Sequence, residues 1–231
     1  MESELLHEAV TATRGMFFDF DGPVCDVFSG LPASEVVRAL ADVMQRFHSD
    51  LSEKMREMDF MDALRVSPQG GEDALVAVEA TLVAAEMEAV GLAGDPTPGA
   101  VAALKAAATS GRSVAIVSNN SAECVREFLA RHELAPLVDE VVGRPGHQPH
   151  LMKPSPYSLY RAAELLEVSP RSCALVGDSV SDVAAAIAAA ARSIGYANRP
   201  GKALALAEAG ADAVIDDMAT LADALTRTPV S

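Results

Sequence analysis

The stretch Met16-Phe17-Phe18-Asp19-Phe20-Asp21-Gly22-Pro23-Val24 decides how the rest of the chain is read. An apolar run between Gly15 and Gly22 has the composition of a short buried strand, and two carboxylates alternate with Phe20 as that strand ends. Two carboxylates side by side at the mouth of an apolar strand are costly unless a cation, a proton or a ligand holds them. Taken alone, Asp19 and Asp21 could equally open a turn.

The sequence downstream favours the strand. After Gly94-Asp95-Pro96-Thr97-Pro98, strand and helix patterns alternate. Thr97 and Pro98 are expected to cap and open a helix that runs to Ser110 and is ended by Gly111. Ser113-Val114-Ala115-Ile116-Val117 reads as a buried strand ending at Ser118-Asn119-Asn120-Ser121, with a helix after it. A short strand over residues 140–142 leads into a proline-bearing loop, residues 143–154, and Pro156 opens another helix. Cys173-Ala174-Leu175-Val176 is a further buried strand, ended by Gly177-Asp178-Ser179-Val180-Ser181-Asp182 and an alanine-rich helix. Two weaker strand units lie near residues 193–196 and 213–215.

Continuous apolar strands alternating with helices predict an α/β fold, a doubly wound, Rossmann-like parallel sheet with helices on both faces. In such sheets ligands collect beyond the carboxyl ends of the strands, where strand order reverses. Asp19, Asp21, Ser118 and Asp178 all fall at strand ends, and Lys153 lies in a connecting loop.

From Asp26 to about Asp95 the alternation stops and the text becomes helical, with polar breaks near residues 29–32, 48–51 and 67–71. Val36, Val37, Leu40, Ala41 and Met44 make one apolar face, and Leu75, Val78, Leu82, Ala85 and Ala89 another. Roughly 70 residues of helix inserted after the first strand predict a separate cap, because βα connections are usually short. The expected division is a catalytic core of residues 1–25 and 95–231 and a helical cap of residues 26–94. Met44, Met55, Met58, Met61 and Met87 read as core filling. Arg38, Arg46, Lys54, Arg56 and Arg65 could reach a substrate, though a solvated helix face explains most of them equally well, and residues 1–14 read as an amphipathic lead-in.

Composition excludes several classes. With 231 residues and 50% hydrophobic content the chain can bury a large core, and no apolar run reaches the roughly 18 residues that span a bilayer. Glu2, Glu4 and Glu8 precede any basic residue, unlike a signal peptide, so a cytoplasmic protein is expected. A net charge of -15 argues against nucleic-acid and membrane partners. Cys25, Cys124 and Cys173 form no CxxC pattern and are expected to be buried thiols. His147 and His150, between prolines, are expected to be ordinary loop residues rather than metal ligands.

The strand-end residues amount to clustered carboxylates, one lysine, one hydroxyl and two helix N-termini. Hard oxygen ligands suit Mg²⁺, and a helix starting after Asn120 offers N–H groups to an anion, so the set reads as a phosphate-and-magnesium site. Each part has a plainer alternative. Asp178 could be an N-cap, Ser179 and Asp182 a capping arrangement, Ser118-Asn119-Asn120 a turn and Lys153 an exposed loop lysine. Their coincidence at matching strand ends favours the site.

Asp19-Phe20-Asp21-Gly22, Ser118-Asn119, Lys153-Pro154 and Gly177-Asp178-x-x-x-Asp182 resemble, in order, the four motifs of the haloacid dehalogenase-like hydrolase superfamily. The insert is similar to that superfamily's type 1 helical cap, as in phosphatases of the phosphoglycolate phosphatase-like kind. The resemblance implies a phosphatase in which Asp19 is the nucleophile and Asp21 the general acid and base. It also implies that Ser118, the Asn119 backbone and Lys153 bind the phosphoryl group. Mg²⁺ would be held by Asp19, the Asp21 carbonyl and Asp178, with Asp182 outside them or orienting Lys153. Pro23 departs from the Thr or Val usual there and leaves the loop geometry open. The expected ligand is a small phosphorylated metabolite, bound by a monomer or weak homodimer. A sugar phosphomutase and a non-catalytic phosphometabolite-binding protein are the alternatives, the latter disfavoured because a binder gains nothing from Asp21.

Overall fold

The structure is a computed structural model describing residues 2–11 and 13–230, for Glu2 the backbone alone. Met1, Ala12 and Ser231, which fall within the expected core boundaries, lie outside the described residues, as does the side chain of Glu2 in the acidic N-terminal stretch.

Strand β1 (Gly15–Phe18) is buried along its length. Met16 and Phe18 enter the core on one face of the sheet and Phe17 the core on the other. A strand covered on both sides has no reason to alternate with polar residues, which is why it reads as an unbroken apolar run. Strands β2 (Ser113–Val117), β3 (Glu140–Val142), β4 (Cys173–Gly177), β5 (Arg192–Tyr196) and β6 (Ala213–Ile215) join it in parallel, in the order β3-β2-β1-β4-β5-β6. Phe18 at the end of β1 is level with Ile116 of β2 and Val176 of β4. The chain lays β2 and β3 to one side of β1, then crosses to lay β4, β5 and β6 on the other. The reversal therefore flanks Asp19, the position where such sheets collect ligands.

Helices α1 (Glu2–Thr11), α6 (Ala100–Thr109), α7 (Ala122–Arg131) and α11 (Met218–Arg227) feed the core on the Phe18 face. Helices α8 (Tyr157–Leu165) and α9 (Val180–Ala188) cover the Phe17 face, and α10 (Lys202–Glu208) packs Leu206 against Gly195. One expected helix start is corrected. Helix α6 begins at Ala100 behind Gly99, which has φ 81°, and not at Thr97-Pro98. Thr97 is drawn away by a tertiary bond, its hydroxyl donating to the Gly22 carbonyl at 2.7 Å.

Between β1 and α6 lie α2 (Ala33–Met44), α3 (Ser49–Met55), α4 (Phe60–Val66), a 3₁₀ turn over Ser67–Gly70 and the long α5 (Glu72–Leu92). The apolar faces expected of α2 and α5 are the ones buried, with Ala85 partly so. Met44 and Met55 are fully buried and Met58 and Met61 pack against the core, whereas Met87 is exposed. The two connections to the sheet run side by side, the Thr97 N–H donating to the Val24 carbonyl at 2.9 Å. The three cysteines are buried free thiols. Among the described residues no helix is long and apolar enough to cross a membrane.

Candidate active site

Asp19 follows β1 directly and is almost wholly buried. Its Oδ1 accepts the Phe20 N–H at 2.7 Å and lies 2.7 Å from Lys153 Nζ. Lys153 is no exposed loop lysine: it is 1% accessible, with Nζ donating to the Val117 carbonyl at 3.1 Å and 2.5 Å from Asp182 Oδ1. Burial alone would lower the lysine's pKa, but Asp182 and Asp19 more than reverse this and keep it a cation. Burial and the charge of Asp182 raise Asp19, with Lys153 opposing them.

Asp21 sits half-buried with Oδ1 accepting the Val27 N–H at 3.1 Å. Burial pushes its carboxyl up to about 6, the Val27 N–H resists, and Asp178 and Asp26 add to the rise. A carboxyl there exchanges protons near neutral pH. The turn that carries it explains Pro23. Both Val24 and Cys25 donate N–H groups to the Phe20 carbonyl, and Gly22 donates to Cys25, so the turn asks position 23 for no donor. Gly22 has φ 106°, and a Cβ there would stand 2.6 Å from Asp178 Cγ, which accounts for the glycine.

The turn after β2 holds Ser118 and Asn119. Ser118 N–H donates to Val142, Asn120 N–H to Ser118 Oγ and Ser121 N–H to Glu86 Oε2, leaving the Asn119 N–H as the one in this turn without a partner among the described residues. Of the amides expected to serve an anion at this helix start, the Ser121 N–H is already taken by a buried glutamate. The Asn119 side chain is also committed. Its Oδ1 accepts the Lys153 N–H at 2.8 Å and its Nδ2 donates to the Lys153 carbonyl at 3.3 Å. Ser118 Oγ donates to Asn120 Oδ1 at 3.0 Å, while Asn120 Nδ2 is buried without a partner. A half-turn of that amide would give Ser118 a donor from Nδ2 and release the hydroxyl hydrogen for a ligand.

Asp178 follows β4, and the N-cap of α9 is Ser179 rather than Asp178. Asp178 Oδ2 accepts from Asn198 Nδ2 at 2.9 Å and lies 2.5 Å from Lys202 Nζ. Asp182 serves two purposes at once: Oδ2 accepts the Ser179 N–H in a capping box, and Oδ1 faces Lys153. One oxygen each of Asp19, Asp178 and Asp182 lie within 4.8 Å of one another. With both Asp182 oxygens engaged, by Ser179 and by Lys153, Asp19 and Asp178 each keep a carboxylate oxygen outside their lysine contacts, hard donors of the kind that suits Mg²⁺ completed by water and phosphate.

Sequence reading did not anticipate Lys202 and Asn198 on Asp178, nor Arg65, whose Nη2 donates to the Lys153 carbonyl at 2.7 Å from the helical insert. It also missed Glu79, Glu86 and Arg144. The two glutamates stand seven positions apart on the buried stripe of α5, and that spacing was the available signal. His147 is a loop residue that meets Glu79, its N–H donating to Oε2 at 2.6 Å.

Fold and site together define a doubly wound α/β protein with a lysine-bridged acidic centre at its switch point. The chain belongs to the haloacid dehalogenase-like hydrolase family, whose model matches residues 13–190. It is 37% identical over 123 residues to a β-phosphoglucomutase of Mycobacterium bovis, covering 51% of this chain and 46% of that one. It is also 37% identical over 140 residues to a plasmid-borne phosphoglycolate phosphatase of Cupriavidus necator, covering 59% and 58%. The chain spans about half the length of the curated relatives it matches. A predicted phosphatase of Clostridium acetobutylicum superposes over 93% of this chain and 99% of its own with a TM-score of 0.71 at 18% identity, a likeness of fold.

Proposed function

We propose that the protein is a Mg²⁺-dependent phosphomonoesterase acting on a small phosphorylated metabolite, with residues 26–94 as its cap. The observation that carries this reading is the buried Lys153 ammonium held between Asp19 and Asp182. It opposes the rise that burial gives the Asp19 carboxyl and leaves a cation where phosphoryl oxygens would rest. Asp19 would attack phosphorus as the bond to the leaving oxygen breaks, and Asp21 would give that oxygen its proton. Asp21, now a carboxylate, would take a proton from water as the water oxygen displaces Asp19 from phosphorus. Ser118, the Asn119 N–H and Lys153 would hold the phosphoryl oxygens throughout. A magnesium ion held by Asp19, Asp178 and the Asp21 carbonyl would add positive charge where the phosphoryl group is transferred.

The likeness to a β-phosphoglucomutase keeps one rival, because a mutase needs the same aspartates. The test is a panel of phosphorylated metabolites with Mg²⁺, following inorganic phosphate, and separately a sugar 1-phosphate with trace bisphosphate, following its 6-phosphate isomer. Phosphate release is expected to dominate and to vanish with Asp19→Asn or with EDTA. More than about a tenth of the rate surviving in Asp19→Asn would overturn the mechanism, since the uncatalysed hydrolysis is extremely slow. Isomer formation outrunning phosphate release would make it a mutase.

A further inference from the structure

Beside the phosphate-binding turn lies a buried ionic group to which the proposed chemistry assigns no role. Arg144, just beyond β3, has a side chain 1% accessible, and it meets Glu86, 0%, and Glu79, 9%, both from α5. Arg144 Nη1 is 2.7 Å from Glu86 Oε1, and Nε is 3.2 Å from Glu79 Oε1. Burying such ions costs several kcal/mol each, and well-packed apolar side chains often stabilise as much, so stability alone is a weak reason for the group.

Its hydrogen bonds point to another reason. Arg144 Nη1 also donates to the Asn119 carbonyl at 2.8 Å, and the Arg144 N–H donates to the Asn120 carbonyl at 2.8 Å. Glu86 Oε2 accepts the Ser121 N–H at 3.0 Å. The turn is therefore held from Asn119 to Ser121, through two carbonyls and its last amide. The group that remains ungripped is the Asn119 N–H. Burial would depress the guanidinium's pKa, but Glu86 and Glu79 reverse the effect, so the clamp stays charged.

We propose that Arg144 is a positioning residue, held by Glu86 and Glu79, that fixes the peptide planes of the Ser118–Ser121 turn so that the Asn119 N–H faces the phosphoryl group. This rests on the phosphatase reading only in taking phosphate as the ligand. Because both glutamates belong to α5, the insert helps build the phosphate site through its longest helix.

The test measures inorganic phosphate binding and Mg²⁺ binding by calorimetry in the wild type and in Arg144→Met, Arg144→Lys and Glu86→Gln, with kcat and KM beside them. Glu86→Gln keeps the shape of the side chain and serves if Arg144→Met does not fold. The expected result is phosphate affinity lowered roughly ten- to hundredfold, the scale of one misaimed donor. Mg²⁺ affinity should change less than about threefold, because Arg144 bonds none of the residues proposed to hold the metal, and Arg144→Lys should restore part of the loss. General loosening would move both affinities together and overturn the proposal. So would wild-type phosphate affinity in the variants, and turnover in the wild type would then leave the phosphatase reading standing. A wild type that neither binds phosphate nor hydrolyses esters would sink both.

Discussion

Lys153 is the residue on which the site balances. Two buried carboxylates, Asp19 and Asp182, share its ammonium, and neither has another cation within ion-pair distance among the described residues. Lys153→Ala should therefore act twice. Loss of the cation beside the phosphoryl group should lower kcat/KM by roughly two to three decades. Two stranded carboxylates should also destabilise the fold by about 3–5 kcal/mol. Added Mg²⁺ should recover part of that stability, since at the proposed site it would sit against the Asp19 carboxylate. Steady-state kinetics and urea unfolding with and without Mg²⁺ check both effects, and a loss of activity under tenfold would show that Lys153 is merely structural.

At the scale of elements, the junction of β4 and α9 does the positioning. Gly177 closes the strand, and a Cβ there would fall inside van der Waals distance of Asp182, 2.6 Å from its Oδ2. Asp182 cannot yield easily, because it caps α9 with Oδ2 while Oδ1 faces Lys153. Gly177→Ala should thus cost about 1–3 kcal/mol by overpacking and lower activity by displacing Asp182. Val180→Ala, at the exposed start of the same helix, should stay within about 0.5 kcal/mol of wild type. Urea midpoints of the two variants make the comparison, and equal midpoints would count against the packing argument. This junction was only half legible in the sequence. Ser179 and Asp182 announced a capping box, and Gly177-Asp178-x-x-x-Asp182 announced a site, but one carboxylate serving both depends on where Lys153 arrives from another loop.

Across the whole molecule the insert and the sheet share one apolar core. Leu82 and Val78 of α5 belong to the same contiguous cluster as Phe18 and Phe128, and Phe20 meets Phe128 edge-on with ring centroids 5.4 Å apart. The Arg144 clamp adds a polar bond across the same seam. One cooperative transition is expected, in which a change in the insert is felt by the sheet. The chain has no tryptophan and three tyrosines, Tyr157, Tyr160 and Tyr196, all outside residues 26–94, so tyrosine fluorescence reports the sheet domain while circular dichroism reports every helix. Leu82→Ala, at a fully buried site in α5, should lower stability by about 2–5 kcal/mol and move both signals together. A shift in dichroism alone would mean that the insert unfolds by itself.

What the sequence determined by itself was local in the chain. Apolar runs closed by Asp19, Ser118 and Asp178 revealed the strands and the polar residues at their ends, because a strand buried on both faces needs continuous apolar residues and a polar exit. The helical stripes of α2 and α5 were visible through a different period, apolar residues recurring every three or four positions along the buried face. The tertiary structure alone decided which distant charges meet. Arg144 and Glu86 are 58 positions apart, and Arg65 and the Lys153 carbonyl 88. No local pattern ties such pairs, since their contact depends on how α4 and α5 pack over the strand ends. Lys202 and Asn198 reach Asp178 only because β5 lies beside β4. Among the described residues the Asn119 N–H stands free, while Glu86, brought in by α5, occupies the neighbouring Ser121 amide. Residue types and spacing can place a donor at a strand end, but burial and the competition of neighbouring acceptors decide whether it remains available.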